Sequence, residues 1–245
     1  MIKWIDKFPG RLFEYDQVHI WRAPLDYSES KVNLLIKYLS KEEIERANRF
    51  YFEIDRMQFI IRRGILRQII SKYLEIDPRN LQFECNRFGK PFLITDSPKH
   101  DLKFNMSHTK NMAIYCIATQ KDVGIDIEYI LRDINIQPII DRFFSQNERM
   151  FIQKTAIDKR KETFYKIWTR KEAILKVLGK GISYPLEMID VPYEKNNFTF
   201  SVNGSGNQGY EASFYVQDFL PAINYKASIA IEGSYSGVTL SYFTF

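Results

Sequence analysis

A helix-opening pattern occurs twice in this 245-residue chain, as Ser40-Lys-Glu-Glu43 and again as Ser145-Gln-Asn-Glu148. In each, the serine oxygen and the glutamate carboxylate three positions on can satisfy the free N–H groups of a helix start. Helical periodicity follows both, and short apolar runs of strand length follow the helices. Helices and small groups of strands recurring in this way predict an α+β fold with helices and a small sheet in each half. The expected halves are residues 1–120 and 121–245, although the internal repeat in sequence is weak.

Val18, Ile20 and Trp21 mark an early strand. After Ser40, the residues Ile44, Ala47, Phe50, Tyr51 and Ile54 recur at helical spacing. A second helix is expected over residues 56–74, with Met57, Ile61, Ile65, Ile69 and Tyr73 as its apolar arc. Arg56, Arg63 and Arg67 form a separate stripe, which suits solvent or phosphate oxygens. Arg87-Phe-Gly-Lys-Pro91 reads as a turn. Residues 112–119 and 123–130 read as strands paired in a hairpin. A long helix over 161–178 carries Phe164, Ile167, Trp168, Lys171, Ile174, Leu175 and Leu178 on one side, and Gly179-Lys-Gly181 ends it. Strands over 198–202, 210–216, 225–231 and 238–243 complete the chain.

The composition, 45% hydrophobic and 27% charged, is that of an ordinary globular protein and excludes a disordered chain. No apolar run is long enough to span a membrane, and the N-terminus lacks a secretory apolar stretch. Cys85 and Cys116 form no CxxC pair and read as reduced core thiols, which predicts a cytoplasmic protein. Thirty-five basic against 30 acidic residues give a net charge of +5, favouring a polyanion, a phosphate-rich cofactor or an acidic protein as partner.

Chemistry concentrates in two segments. In Val123-Gly-Ile-Asp-Ile-Glu128 the strand period puts Val123, Ile125 and Ile127 on one face and Asp126 and Glu128 on the other. Two carboxylates side by side repel unless a cation or proton lies between them, and hard oxygen donors suit Mg²⁺. On the long helix, Glu172 and Lys176 are i,i+4 neighbours within Trp168-Thr-Arg-Lys-Glu-Ala-Ile-Leu-Lys176. Three acids and a basic surface also suit a Mg²⁺-dependent nuclease or phosphohydrolase. That reading does not require the Trp168 to Gly181 text. No zinc-finger spacing or RNA-recognition signature points to nucleic acid.

These two segments closely resemble the two signatures of the 4'-phosphopantetheinyl transferases, and chain length and spacing resemble the surfactin-synthetase-activating type. Gly89-Lys-Pro91, Phe104-Asn-Met-Ser-His108, and Arg142-Phe-Phe-Ser145 with Glu148 match as well, so the likeness spans about residues 40 to 185. The resemblance implies a pseudo-twofold pair of similar α+β halves with coenzyme A, the co-substrate, between them. It implies transfer of phosphopantetheine to a serine of an apo acyl or peptidyl carrier protein, releasing adenosine 3',5'-bisphosphate. Asp126, Glu128 and Glu172 would hold Mg²⁺ (or Mn²⁺), and Lys176 would meet the pyrophosphate. Arg46, Lys90 and His108, with Ser107 of the same motif, would contact the nucleotide phosphates, particularly the 3'-phosphate; Arg63 is added from the arginine stripe. Glu172 is the expected base for the carrier serine. A monomer is expected, with neither nucleic acid nor membrane as partner, and carrier docking is expected around Gly179-Lys-Gly-Ile182. Thr109 stands where many members have serine, a conservative change, and Glu43 where the type example has a basic residue, which leaves the adenosine contacts open; the carrier and its biosynthetic pathway are not named by the sequence.

Overall fold

The computed structural model describes residues 2–6, 8, 17–95, 101–181, 184–203, 211–233 and 238–245. The first half contains β1 (Gln17–Pro24), α1 (Glu29–Leu35), α2 (Lys41–Ala47), α3 (Glu53–Leu74), β2 (Gln82–Cys85), β3 (Pro91–Ile94), β4 (Leu102–Thr109) and β5 (Met112–Thr119). The second contains β6 (Val123–Tyr129), α4 (Gln137–Phe143), α5 (Gln146–Lys154), α6 (Ile157–Leu178), β7 (Asn197–Asn203), β8 (Glu211–Phe219) and β9 (Tyr225–Glu232), and β10 (Thr239–Thr244) follows. The fold is α+β.

Both capping boxes form: Ser40 opens α2 and Ser145 opens α5, each with reciprocal bonds to the glutamate three residues on. Helix α2 is shorter than the periodicity predicts. It stops at Ala47, so Tyr51 lies in the connection and Ile54 in the first turn of α3, both exposed. The apolar spacing thus crosses a break between two helices. α3 and α6 are each 22 residues long and lie on separate apolar clusters. Gly179 ends α6 in the left-handed region at φ 61°, a conformation that glycine adopts without strain.

Two four-stranded sheets organise the molecule, in the orders β10-β1-β5-β4 and β6-β9-β8-β7. The expected hairpin between residues 112–119 and 123–130 does not form. Both edges of β5 are taken, by β1 and β4, so β6 pairs with β9 in the other sheet. The chain therefore changes sheets between Thr119 and Val123. It also returns: β10 pairs parallel with β1, so residues 239–244 belong to the first half's sheet and not to the second's. This covers an edge that β1 would otherwise leave open. A third apolar cluster, including Ile20, Ile114, Cys116, Ile125, Ile127 and Ile229, joins the two sheets.

Cys116 sits in that cluster, while Cys85 is exposed at the end of the two-stranded β2–β3 ribbon, contrary to its reading as a core thiol. That ribbon lies outside both large sheets, so its apolar neighbours in sequence do not bury it. Among the described residues no helix is long and apolar enough to cross a membrane.

Candidate active site

The site lies on the seam between the halves, where β4 faces β6 and α6 lies across β6. Gly124 sets that approach. A Cβ there would stand 2.6 Å from the Val177 amide nitrogen and closer still to the Ala173 carbonyl oxygen, so a side chain would push helix and strand apart. Across the seam, Asn105 Oδ1 accepts a hydrogen bond from the Ile125 amide at 3.2 Å.

Asp126 is the centre of the arrangement. Its Oδ1 accepts from Ser107 Oγ at 2.9 Å and from Lys176 Nζ at 2.7 Å, and Lys176 also donates to the Ile125 carbonyl at 3.0 Å. The other oxygen, Oδ2, is buried with no hydrogen-bond partner among the described residues. A buried carboxylate oxygen without a partner is costly unless a ligand supplies one. Glu128, two residues along the same strand face, is raised to about 7 by burial and then by the charge of Asp126; the Trp168 indole donates to it. Glu172, on the facing turn of α6, is likewise raised to about 7 by burial and by Asp126. Burial is the larger cause of both shifts and the Asp126 anion the second, and a cation would relieve the second. Among the described residues no three donors converge into a ready-made metal cage. The donor set nonetheless fits a divalent ion: an orphaned oxygen and two neighbouring carboxyl groups, all hard oxygen ligands.

One cavity adjoins Glu172, and a second shares Gly89, Pro91 and Met106 with the first. The smaller, about 270 Å³, is lined by Glu172 and Lys176 together with Phe88, Met106, Leu175 and Gly181. The larger, about 760 Å³, is lined by Arg46, Arg62, Arg63 and Arg67 with Phe50 and Phe83. Its arginines are not equivalent. Glu43, fixed by the α2 capping box, pairs with both Arg63 and Arg67, and Arg67 Nη1 also donates to the Pro78 and Leu81 carbonyls. Arg46 is exposed over the Phe59 ring. Arg62 Nη1 donates to His108 Nδ1 at 2.8 Å. Surrounding protein, then the charges of Arg62 and Lys176, hold His108 down at about 4, while its outer edge stays accessible.

Of the residues named from sequence, Asp126, Glu128, Glu172, Lys176 and Ser107 meet at the seam, and Arg46 and Arg63 line the larger cavity. Lys90 lines the smaller cavity with Glu172 and Lys176; its Nζ donates to the Val177 carbonyl at 3.1 Å, near the end of α6, and stands 3.8 Å from Asp122. Ile182 lies outside the described residues. Three contributors escaped the sequence reading. Arg62 was masked by the identical Arg63 beside it. Asn105 stood inside a recognised motif without a stated role. Asn86 begins the turn before Lys90, where its Oδ1 accepts from the Phe88 and Lys90 amides and its Nδ2 donates to the Gly179 carbonyl at 2.9 Å. An asparagine at the head of an Arg-Phe-Gly-Lys turn was the available signal.

Other motif residues hold the helix rather than face the site. Lys171 and Glu148 are fully buried and paired at 2.6 Å, with Lys171 also donating to the Leu186 and Ile189 carbonyls and Glu148 accepting from the Ser145 and Val191 amides. Arg170 pairs with Asp218. These bonds fix the rotation of α6 and so the direction of Glu172 and Lys176.

Comparison with known proteins agrees with this geometry. Residues 24–121 match the family described as 4'-phosphopantetheinyl transferase, N-terminal, and residues 122–230 match the 4'-phosphopantetheinyl transferase superfamily. The chain is 37% identical over 188 residues to the 4'-phosphopantetheinyl transferase HetI of Nostoc sp., covering 77% of this chain and 79% of that protein. It is 32% identical over 168 residues to the 4'-phosphopantetheinyl transferase Sfp of Bacillus subtilis, covering 69% and 71%. With both halves matched and these relatives spanned over most of their length, the chain belongs to the 4'-phosphopantetheinyl transferase superfamily, whose activity is the transfer of phosphopantetheine from coenzyme A to carrier proteins.

Proposed function

We propose that the seam is the transfer site, with Asp126, Glu128 and Glu172 holding Mg²⁺ and the arginine-lined cavity taking the nucleotide end of coenzyme A. The observation that carries this reading is the buried Oδ2 of Asp126, without a hydrogen-bond partner among the described residues, on a carboxylate that raises two neighbouring acids and binds one lysine. When bound, the ion supplies charge neutralisation at the pyrophosphate.

The chain's own residues supply the rest. Lys176, one turn after Glu172, can swing its ammonium from Asp126 to a pyrophosphate oxygen and stabilise the leaving group. Glu172 takes the proton of the carrier serine; a carboxylate has two oxygens, so it can face an ion with one and accept the proton with the other. The serine oxygen then bonds to the phosphorus that carries pantetheine. The bond from that phosphorus to the bridging oxygen breaks, and the electron pair leaves with adenosine 3',5'-bisphosphate. His108 and Arg46 contact the nucleotide phosphates. The acceptor is an apo acyl or peptidyl carrier protein, the compartment is the cytoplasm, and the chain acts as a monomer because one chain supplies both sides of the seam. The test is incubation with coenzyme A, Mg²⁺ and an apo carrier domain. A carrier mass gain of one phosphopantetheine is expected, and no gain with acyl and peptidyl carriers alike would refute the assignment.

A further inference from the structure

Arg62 and Arg63 are adjacent in sequence, yet their guanidiniums do different things. Arg63 is neutralised by Glu43. Arg62 pairs with no carboxylate among the described residues; its Nε donates to the Gln58 carbonyl at 3.1 Å and its Nη1 to His108 Nδ1 at 2.8 Å. A guanidinium can only donate, so Nδ1 must accept and the proton of the neutral ring sits on Nε2. Burial, with Arg46 and Arg63 nearby, disfavours the positive charge of Arg62, and burial, then Arg62 and Lys176, disfavours one on His108. A half-buried guanidinium among cations, satisfied only by neutral acceptors, is matched by an anion with several oxygens.

We propose that Arg62 is a positioning and specificity-determining residue: it locks His108 as the Nε2–H tautomer and forms with it the seat that tells the 3'-phosphate of coenzyme A from a free ribose hydroxyl. The inference rests on the reading of His108 as a phosphate contact. A phosphate monoester offers charged acceptor oxygens to Nε2–H and to the remaining Arg62 N–H groups. A hydroxyl carries no charge and leaves the desolvated guanidinium unmatched, which is the situation in which a polar site discriminates strongly. Arg63, already bonded to Glu43, contributes little to this choice.

The test is calorimetric titration of the full chain and its R62Q, R62K and H108A variants with adenosine 3',5'-bisphosphate and with 5'-AMP. It is paired with the nitrogen NMR signature of His108. R62Q is expected to lose about tenfold or more in affinity for the bisphosphate, to bind 5'-AMP nearly as before, and to show a mixture of His108 tautomers. R62K, which keeps the charge without the planar fork, is expected to lose less affinity and still to release the tautomer; melting temperature serves as the folding control. If H108A abolishes the preference for the bisphosphate while R62Q and R62K retain both preference and a single tautomer, the role of Arg62 is refuted and the phosphate reading of His108 stands. If H108A itself retains the preference, both are refuted. Equal losses for the two nucleotides in R62Q and R62K would make Arg62 a structural residue and overturn the proposal.

Discussion

Lys176 Nζ stands 2.7 Å from Asp126 Oδ1, so the helix cation is bound to the carboxylate assigned to the metal. Asp126 shares that oxygen with Ser107, and its Oδ2 has no hydrogen-bond partner among the described residues. The lysine therefore offsets part of the negative charge that three neighbouring acids create. In the proposed reaction it must let go when coenzyme A and the ion arrive.

That competition predicts an unusual phenotype for Lys176→Met. In the absence of coenzyme A, removal of the lysine should tighten Mn²⁺ binding several-fold, because a competing cation is gone. Binding of coenzyme A and the transfer rate should both fall. Calorimetry with Mn²⁺ alone separates the two effects, and weaker Mn²⁺ binding in the variant would show that Lys176 supports the ion instead of competing with it.

The raised acids make a pH prediction whose sign follows from linkage. Glu128 and Glu172 lie at about 7 when folded against an ordinary 4.5, so the folded chain binds more protons between those values. Their contribution to stability is full below about 4.5 and is lost as pH rises through about 7. His19 and His108, held at about 4 against 6.5, act oppositely and cost stability as pH falls through that window. With chelator present, Glu128→Gln should therefore gain melting temperature over the wild type as pH rises from 4.5 to 7, and added Mg²⁺ should shrink that gain. A constant difference across the range would contradict the raising of Glu128 by burial and by Asp126.

Gly124→Ala should be poorly tolerated although alanine is the smallest addition. Its Cβ would meet backbone atoms of α6, which cannot move without shifting Glu172 and Lys176. A loss of about 1–3 kcal/mol is expected by chemical denaturation, the range for overpacking, with a drop in transfer rate in whatever folds. Wild-type stability would mean that α6 can slide on β6.

The buried pair of Lys171 and Glu148 predicts a double-mutant result. Lys171→Met alone should cost about 3–5 kcal/mol, because it strands Glu148 as an uncompensated buried charge. Combining it with Glu148→Gln should recover much of that loss. Additive costs for the two substitutions would show that the pair does not act as a unit.

Much of this was legible in the chain itself, for identifiable reasons. Capping boxes and the glycine stop are local chemistry, and both boxes and the end of α6 at Gly179 form at the expected residues. The alternation in Val123-Gly-Ile-Asp-Ile-Glu128 likewise separates Ile125 and Ile127 from Asp126 and Glu128. Pairing partners are not local. Nothing near Thr119 says that both edges of β5 are taken, nor near Thr239 that β10 will return to β1. Side-chain partners are no more local: Lys90 looks free in Gly-Lys-Pro, and only folding brings it to the Val177 carbonyl. The side-chain partners that set Arg62 apart from Arg63, His108 and Glu43, lie 46 and 20 residues away from them in sequence.

The most direct test is mass spectrometry of an apo carrier domain after incubation with coenzyme A, Mg²⁺ and either the wild-type chain or Asp126→Asn. Asparagine keeps the shape but removes the charge that holds Lys176 and, in this account, the ion. The account predicts complete conversion to the phosphopantetheinylated carrier by the wild type and none by a folded Asp126→Asn protein. Conversion at a wild-type rate by Asp126→Asn would contradict it.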